Sequence, residues 1–138
     1  PPPTAAEIQQ ALQTIRDELT SPDGIPYIQK LIETEDCKTL MAFTPQYDLG
    51  MRKLKMGKAA KVMGSVYATE AEKEQKKAFA TTCTLAKNAV TFDLIGINRA
   101  TRPGQQDKEK ALKYLQELKD DMQKFIDLEK TLDLTKLS

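Results

Sequence analysis

Histidine and tryptophan are absent from this chain, and cysteine occurs only twice. The missing histidine removes haem ligation through imidazole, zinc sites of ordinary composition, and every nucleophile that relies on an imidazole base. It also removes the Glu-x-x-His pairs that build di-metal carboxylate sites into helical bundles. Paired carboxylates do occur, at Asp120-Asp121 and among Glu33, Glu35 and Asp36, but the predicted inward stripes are apolar. No GxxxxGKS/T phosphate loop is present. No run of 18 or more apolar residues occurs, so no segment reads as membrane-spanning. A charged and apolar leader is missing as well, and Pro1-Pro2-Pro3 reads as the start of a mature product. The sequence therefore calls for no catalytic residue, no metal and no cofactor.

What is present is a helical pattern and an uneven charge. A chain of 138 residues with this apolar content is expected to form one domain, burying roughly two thirds of its unfolded surface. A net charge of +1 excludes a general nucleic-acid binder. Residues 1–36 hold two basic and seven acidic side chains, whereas residues 37–69 hold six and one. Such an asymmetry steers docking onto an acidic surface, or the two blocks neutralise each other within the fold; both readings stay open.

Thr4 and Glu7 have the capping-box spacing, and Ile8, Leu12, Ile15 and Leu19 follow at helical intervals, predicting a first helix over 5–19. Ser21-Pro22-Asp23-Gly24 ends it as a turn. A long, acidic, partly helical connection follows, with short pieces around Ile28–Ile32 and Thr39–Phe43. Thr44 before Pro45 predicts the start of a second helix that ends near Tyr67. Thr69 and Glu72 repeat the capping box and open a third, over 70–98. Its stripe is Phe79, Cys83, Ala86, Val90, Leu94 and Ile97, with Leu85, Phe92 and Ile95 off that stripe. Pro103 and Gly104 break the chain, and Arg99 and Arg102 suit the negative end of the helix. A fourth helix over 106–130 carries Ala111, Leu115, Leu118, Met122 and Phe125 as a coiled-coil-like seam. Residues 132–138 form a tail that lies along a groove or stays flexible. The expected fold is all-α, an antiparallel up-down-up-down four-helix bundle.

The second helix organises the rest. Arg52, Lys53, Lys55, Lys58 and Lys61 follow Asp48 with no further acid. Gly50, Gly57 and Gly64 recur every seven residues and fall on one stripe at about 100° per residue. Each costs roughly 0.5–1 kcal/mol relative to alanine, which a close helix–helix approach or a flat docking strip would offset. The same count puts Tyr47, Met51, Leu54 and Val62 on one side, with Leu49, Met56, Ala60, Met63 and Tyr67 opposite. A helix apolar on two faces is sandwiched between neighbours or keeps one face for a partner. The methionines serve as core filler or as an adaptable binding surface.

Cys37 and Cys83 allow one intramolecular pair, and the expectation leans towards a bridge over two free thiols. A disulfide closing those 46 residues contributes roughly 4 kcal/mol in the loop-entropy picture and implies an oxidising compartment.

Tyr47-Asp48-Leu49 opening a helix, Lys76-Lys77 leading an apolar helix, and the spacing of the last two helices across a proline-containing break give the chain a likeness. Over residues 47–128 it resembles the PsbQ-like family of photosystem II extrinsic proteins, in particular algal or diatom members. The resemblance implies a non-catalytic four-helix bundle in the chloroplast thylakoid lumen, peripheral to the membrane and monomeric when free. It implies docking on photosystem II core subunits and other extrinsic proteins, shielding of the oxygen-evolving manganese–calcium cluster, and retention of calcium and chloride. The cysteine pair, the short N-terminal arm and the glycine-rich second helix depart from the family pattern.

Partner binding is accordingly expected at Arg52, Lys53, Lys55, Lys58 and Lys61, with Arg99 and Arg102 as a second patch. Tyr47, Asp48, Lys76 and Lys77 are carried over from the resemblance. The alternatives are a helical carrier of a small apolar ligand, and a helical adaptor binding another acidic protein.

Overall fold

The computed structural model describes residues 2–137 and is a four-helix bundle, with no strand among the described residues. Helix α1 (Ala5–Thr20) starts where the capping box places it. Thr4 Oγ1 accepts from the Glu7 amide at 3.1 Å, and Glu7 accepts from the Thr4 amide at 3.2 Å. These reciprocal bonds satisfy donors that a helix start leaves open. Gly24 ends the following turn, and glycine is required there because a Cβ would sit 2.3 Å from the Glu18 carbonyl oxygen. Helix α2 (Ile25–Glu33) then packs across the bundle, and Lys119 and Lys108 of the last long helix, α6 (Lys108–Ile126), reach Gln29 and the Glu33 carbonyl.

The second long helix begins earlier than the sequence suggests. It opens with α3 (Cys37–Asp48), capped by Asp36, whose carboxylate accepts from the Thr39 amide. Thr44 is therefore not a cap, and Pro45 lies inside the helix. Proline has no N–H for the carbonyl four residues back, which ordinarily breaks a helix. Here Asn98 supplies the donor from outside: its Nδ2 lies 3.2 Å from the Met41 carbonyl oxygen and 2.8 Å from Thr44 Oγ1. The helix passes through its proline because another helix completes its hydrogen bonding.

Beyond α3 the chain continues as a π-helical segment (Leu49–Met56) and then α4 (Gly57–Gly64). The buried line reads Tyr47, Met51, Met56, Ala59, Met63 and Val66. At 100° per residue the five-residue step from Met51 to Met56 would overshoot a full turn by about 140°. A π segment winds more slowly and returns residues five apart to one side. The two apolar faces read from the sequence are thus one inner face, while Leu49 and Leu54 remain outside, 51% and 65% exposed. The glycine seam is also absent: a Cβ at Gly50 would meet nothing, and at Gly57 and Gly64 only ordinary contacts near 4 Å.

Helix α5 (Lys73–Arg99) follows a capping box at Thr69 and Glu72, and α6 (Lys108–Ile126) is capped by Asp107. Phe79, Cys83, Val90, Leu94 and Ile97 of α5 meet Ala111, Leu115, Leu118, Met122 and Phe125 of α6 in a continuous core. Burying side chains of this size contributes about 1.5–3 kcal/mol each for the larger ones. Neighbouring helices run antiparallel. Gln9 near the start of α1 bonds Glu129 beyond the end of α6, Glu18 near the end of α1 pairs with Lys55, and Asn98 meets Thr44. The close approach of backbone to side chain occurs at Gly96, where a Cβ would lie 2.5 Å from the Tyr114 ring. The tail lies along the bundle: Leu132 is buried and Lys136 Nζ is 2.9 Å from Glu72.

Candidate functional site

The basic series of the second helix divides into inward and outward members. Arg52 donates to both oxygens of Asp48, at 2.7 and 3.4 Å, and Asp48 also accepts from Thr91 Oγ1 at 2.7 Å. Lys55 reaches across to Glu18 at 3.0 Å. Lys55 and Asp48 therefore tie the second helix to α1 and α5, and Arg52 holds Asp48 from within its own helix, so these three charges are already paired inside the fold. Tyr47 is buried against Phe43 and is unavailable to a partner. Burial first, and then the neighbouring Glu18 carboxylate, holds its hydroxyl protonated far above the ordinary range, and no hydrogen bond of normal geometry reaches it.

Lys53, Lys58 and Lys61 are exposed and have no acidic partner among the described residues. Leu54, Lys58 and Lys61 follow at steps of four and three, and Leu49 precedes Leu54 by the five-residue step of the π segment. The outer line of this helix is thus apolar at one end and cationic at the other. The acidic connection leaves it uncovered, because α2 packs against α6 and α3.

Helix α5 presents the second half of the site. Leu85, Phe92, Ile95, Arg99 and Arg102 follow at steps of seven, three, four and three, and all are exposed. Phe92 is 68% exposed, which is unusual for so large an apolar ring. Pro45 and Leu49 form one wall of an open groove of about 570 Å³, and Ile95, Arg99 and Arg102 form the other. Ile95 and Arg99 also border a second groove towards α6, which Phe92 and Tyr114 line. The shared residues make one contiguous apolar surface with guanidinium groups at its end. Lys76 and Lys77 stand apart from it: Lys77 precedes Ile95 by 18 residues, roughly 27 Å along α5, and pairs loosely with Glu74 at 3.7 Å.

The chain matches no family model, no curated protein and no solved structure. The assignment of a role therefore rests on the residues themselves.

Two further clusters bear on chemistry. Cys37 and Cys83 are both free thiols, which corrects the expected bridge. Cys37 lines a groove with Ala100 and Thr101 at the far end of α5, whereas Cys83 lies 17 residues before Ala100. That interval is about 25 Å of helix, and a disulfide needs Cα atoms within about 7 Å. Burial pushes the Cys83 thiol up to about 11.

Asp93 is the residue that sequence reasoning passed over. It is 6% exposed, and its Oδ2 finds no hydrogen-bond donor. Burial raises its pKa to about 8, assisted by the adjacent Asp121 and by the charges of Glu117 and Asp120, all on α6. Its signal in the sequence is one acid inside the apolar run from Val90 to Ile97. Among the described residues no three acidic or thiol groups converge as metal ligands.

Proposed function

We propose that this protein is a non-catalytic docking subunit that binds an acidic protein surface. One observation carries the reading. Leu49, Phe92 and Ile95 are exposed beside Arg99 and Arg102, while Lys53, Lys58 and Lys61 extend the outer line of the second helix without internal partners. An apolar patch bordered by uncommitted cations fits a protein interface, in which burial supplies affinity and charge supplies orientation. No helix among the described residues is long and apolar enough to cross a membrane, which is compatible with peripheral attachment through protein contacts.

In its specific form the proposal follows the resemblance to PsbQ-like proteins. The chain would sit in the thylakoid lumen as an extrinsic photosystem II subunit, supporting the oxygen-evolving cluster and its calcium and chloride. The methionines that motivate a ligand carrier instead fill the core: Met51, Met56 and Met63 are fully buried.

The test is co-fractionation with thylakoid membranes followed by a salt wash. Release near 1 M salt, where the Debye length falls to about 3 Å, is expected. Charge reversal at Lys53, Lys58 and Lys61 is expected to weaken rebinding without changing the thermal midpoint. Attachment that survives high salt and triple reversal would remove the charge-directed docking reading; absence from thylakoids would remove only its photosynthetic form.

A further inference from the structure

We infer that the groove between α5 and the end of α3, with Leu49 just beyond it, receives one amphipathic helix of a partner protein, apolar along its inner line and acidic at the end that meets Arg99 and Arg102. The inference rests on the docking function proposed above and names the element that docks.

The shape of the site is the first argument. Leu49 and Ile95 line the groove from its two helices, and Phe92 continues the apolar strip beside Ile95. A strip between two antiparallel helices suits a cylinder, the geometry by which an amphipathic helix lays its apolar line into a groove. Along α5 the groove runs from Thr91 to Arg99, eight residues or about 12 Å, and Arg102 extends it past the helix end, room for roughly two to three turns of an incoming helix.

Charge supplies the second argument. Arg99 and Arg102 close one end of the groove and have no acidic partner among the described residues, while the nearby Asp48 is already engaged by Arg52 and Thr91. The groove therefore selects carboxylates at that end. A second copy of this chain is a poor occupant. The apolar lines of α1 and α6 are spent in the core, so the exposed large apolar side chains a copy offers lie on the second helix and α5, beside the same uncommitted cations. A symmetric dimer through that face would bring two uncommitted cationic surfaces together.

The probe is a set of synthetic 18-residue peptides titrated into the full chain labelled with nitrogen-15. One carries leucine, phenylalanine or methionine at steps of three and four with glutamates towards one end. A second is the same composition scrambled, and a third has lysine in place of every glutamate. The patterned acidic peptide is expected to become helical on binding and to shift the amides of Leu49, Phe92, Ile95 and Arg99. Phe92→Ala and Arg102→Glu, both at exposed positions, are each expected to weaken it about tenfold with unchanged circular dichroism.

Equal binding of the scrambled peptide, or shifts gathered at Lys58 and Lys61, would overturn the helix-in-groove inference while leaving acidic docking intact. Failure of every peptide to bind, equal binding of the lysine peptide, or a sedimenting dimer abolished by Phe92→Ala would overturn it too. The salt-wash experiment judges the underlying docking function separately.

Discussion

Replacing Asp93 by asparagine is expected to stabilise the protein above neutral pH and to flatten the dependence of its stability on pH. Below about pH 4 the Asp93 carboxyl is protonated in both the folded and the unfolded chain and costs nothing. Between its ordinary 3.8 and the folded value of about 8 the unfolded chain releases the proton while the folded chain retains it, so stability falls as pH rises. Above about 8 the folded carboxylate ionises as well and the loss levels off. Each unit is worth about 1.36 kcal/mol, giving a ceiling of roughly 6 kcal/mol. Sharing of the proton with Asp121, together with water admitted as the helices loosen, reduces this to about 2–4 kcal/mol at pH 8. Asparagine keeps a donor for Asp121 but cannot ionise, so the two proteins are expected to agree within about 1 kcal/mol at pH 4. Urea titrations of both at pH 4, 6, 8 and 9 measure the effect. Parallel pH profiles would refute the reasoning, because they would mean that Asp93 ionises in the folded chain as readily as in the unfolded one.

The proline bypass predicts coupling: Asn98→Ala is expected to cost about 1–3 kcal/mol by stranding the Met41 carbonyl and Thr44, and less in a Pro45→Ala background, where the new amide serves Met41. Chemical denaturation of the four proteins in that cycle gives the coupling, and strict additivity would contradict it. Gly57→Ala is expected to gain about 0.5–1 kcal/mol because its Cβ meets almost nothing, whereas Gly96→Ala is expected to lose about 1–3 kcal/mol against the Tyr114 ring. Thermal melts that rank the two glycines in reverse would count against these contacts. Thiol titration of denatured, unreduced protein is expected to find two sulfhydryls, and in the native state Cys37 is expected to react well before the buried Cys83.

Features carried by local chemistry were legible in the sequence. Both capping boxes, the α6 seam and the α5 stripe follow from residues within one or two turns of each other, so spacing alone recovers them. Apart from the local π winding, what failed depended on residues far apart in the chain. Thr44-Pro45 has the composition of a helix start, and only Asn98, more than fifty residues on, allows the helix to run through it. The expected disulfide failed for a related reason, since the path of the connection decides which end of α5 Cys37 approaches. Likewise the five basic residues look equivalent in sequence, but Glu18 and Asp48 engage two and leave Lys53, Lys58 and Lys61 outside.

The π segment links the core to the candidate interface. A uniform α-helix could not place both Met51 and Met56 inside, because the five-residue step would turn one of them outward. The slower winding brings both methionines in and, by the same rotation, leaves Leu54 outside with Lys58 and Lys61 continuing its line. Core packing and the composition of the outer surface are therefore set by one local departure from α-geometry. A π segment at a functional surface is a recurring association, and here its consequence is specific. Leu49 itself opens the segment one α-helical turn beyond Pro45, and the two form the wall opposite Ile95 in the groove that ends at Arg99 and Arg102, so the change of winding begins where the groove's wall ends.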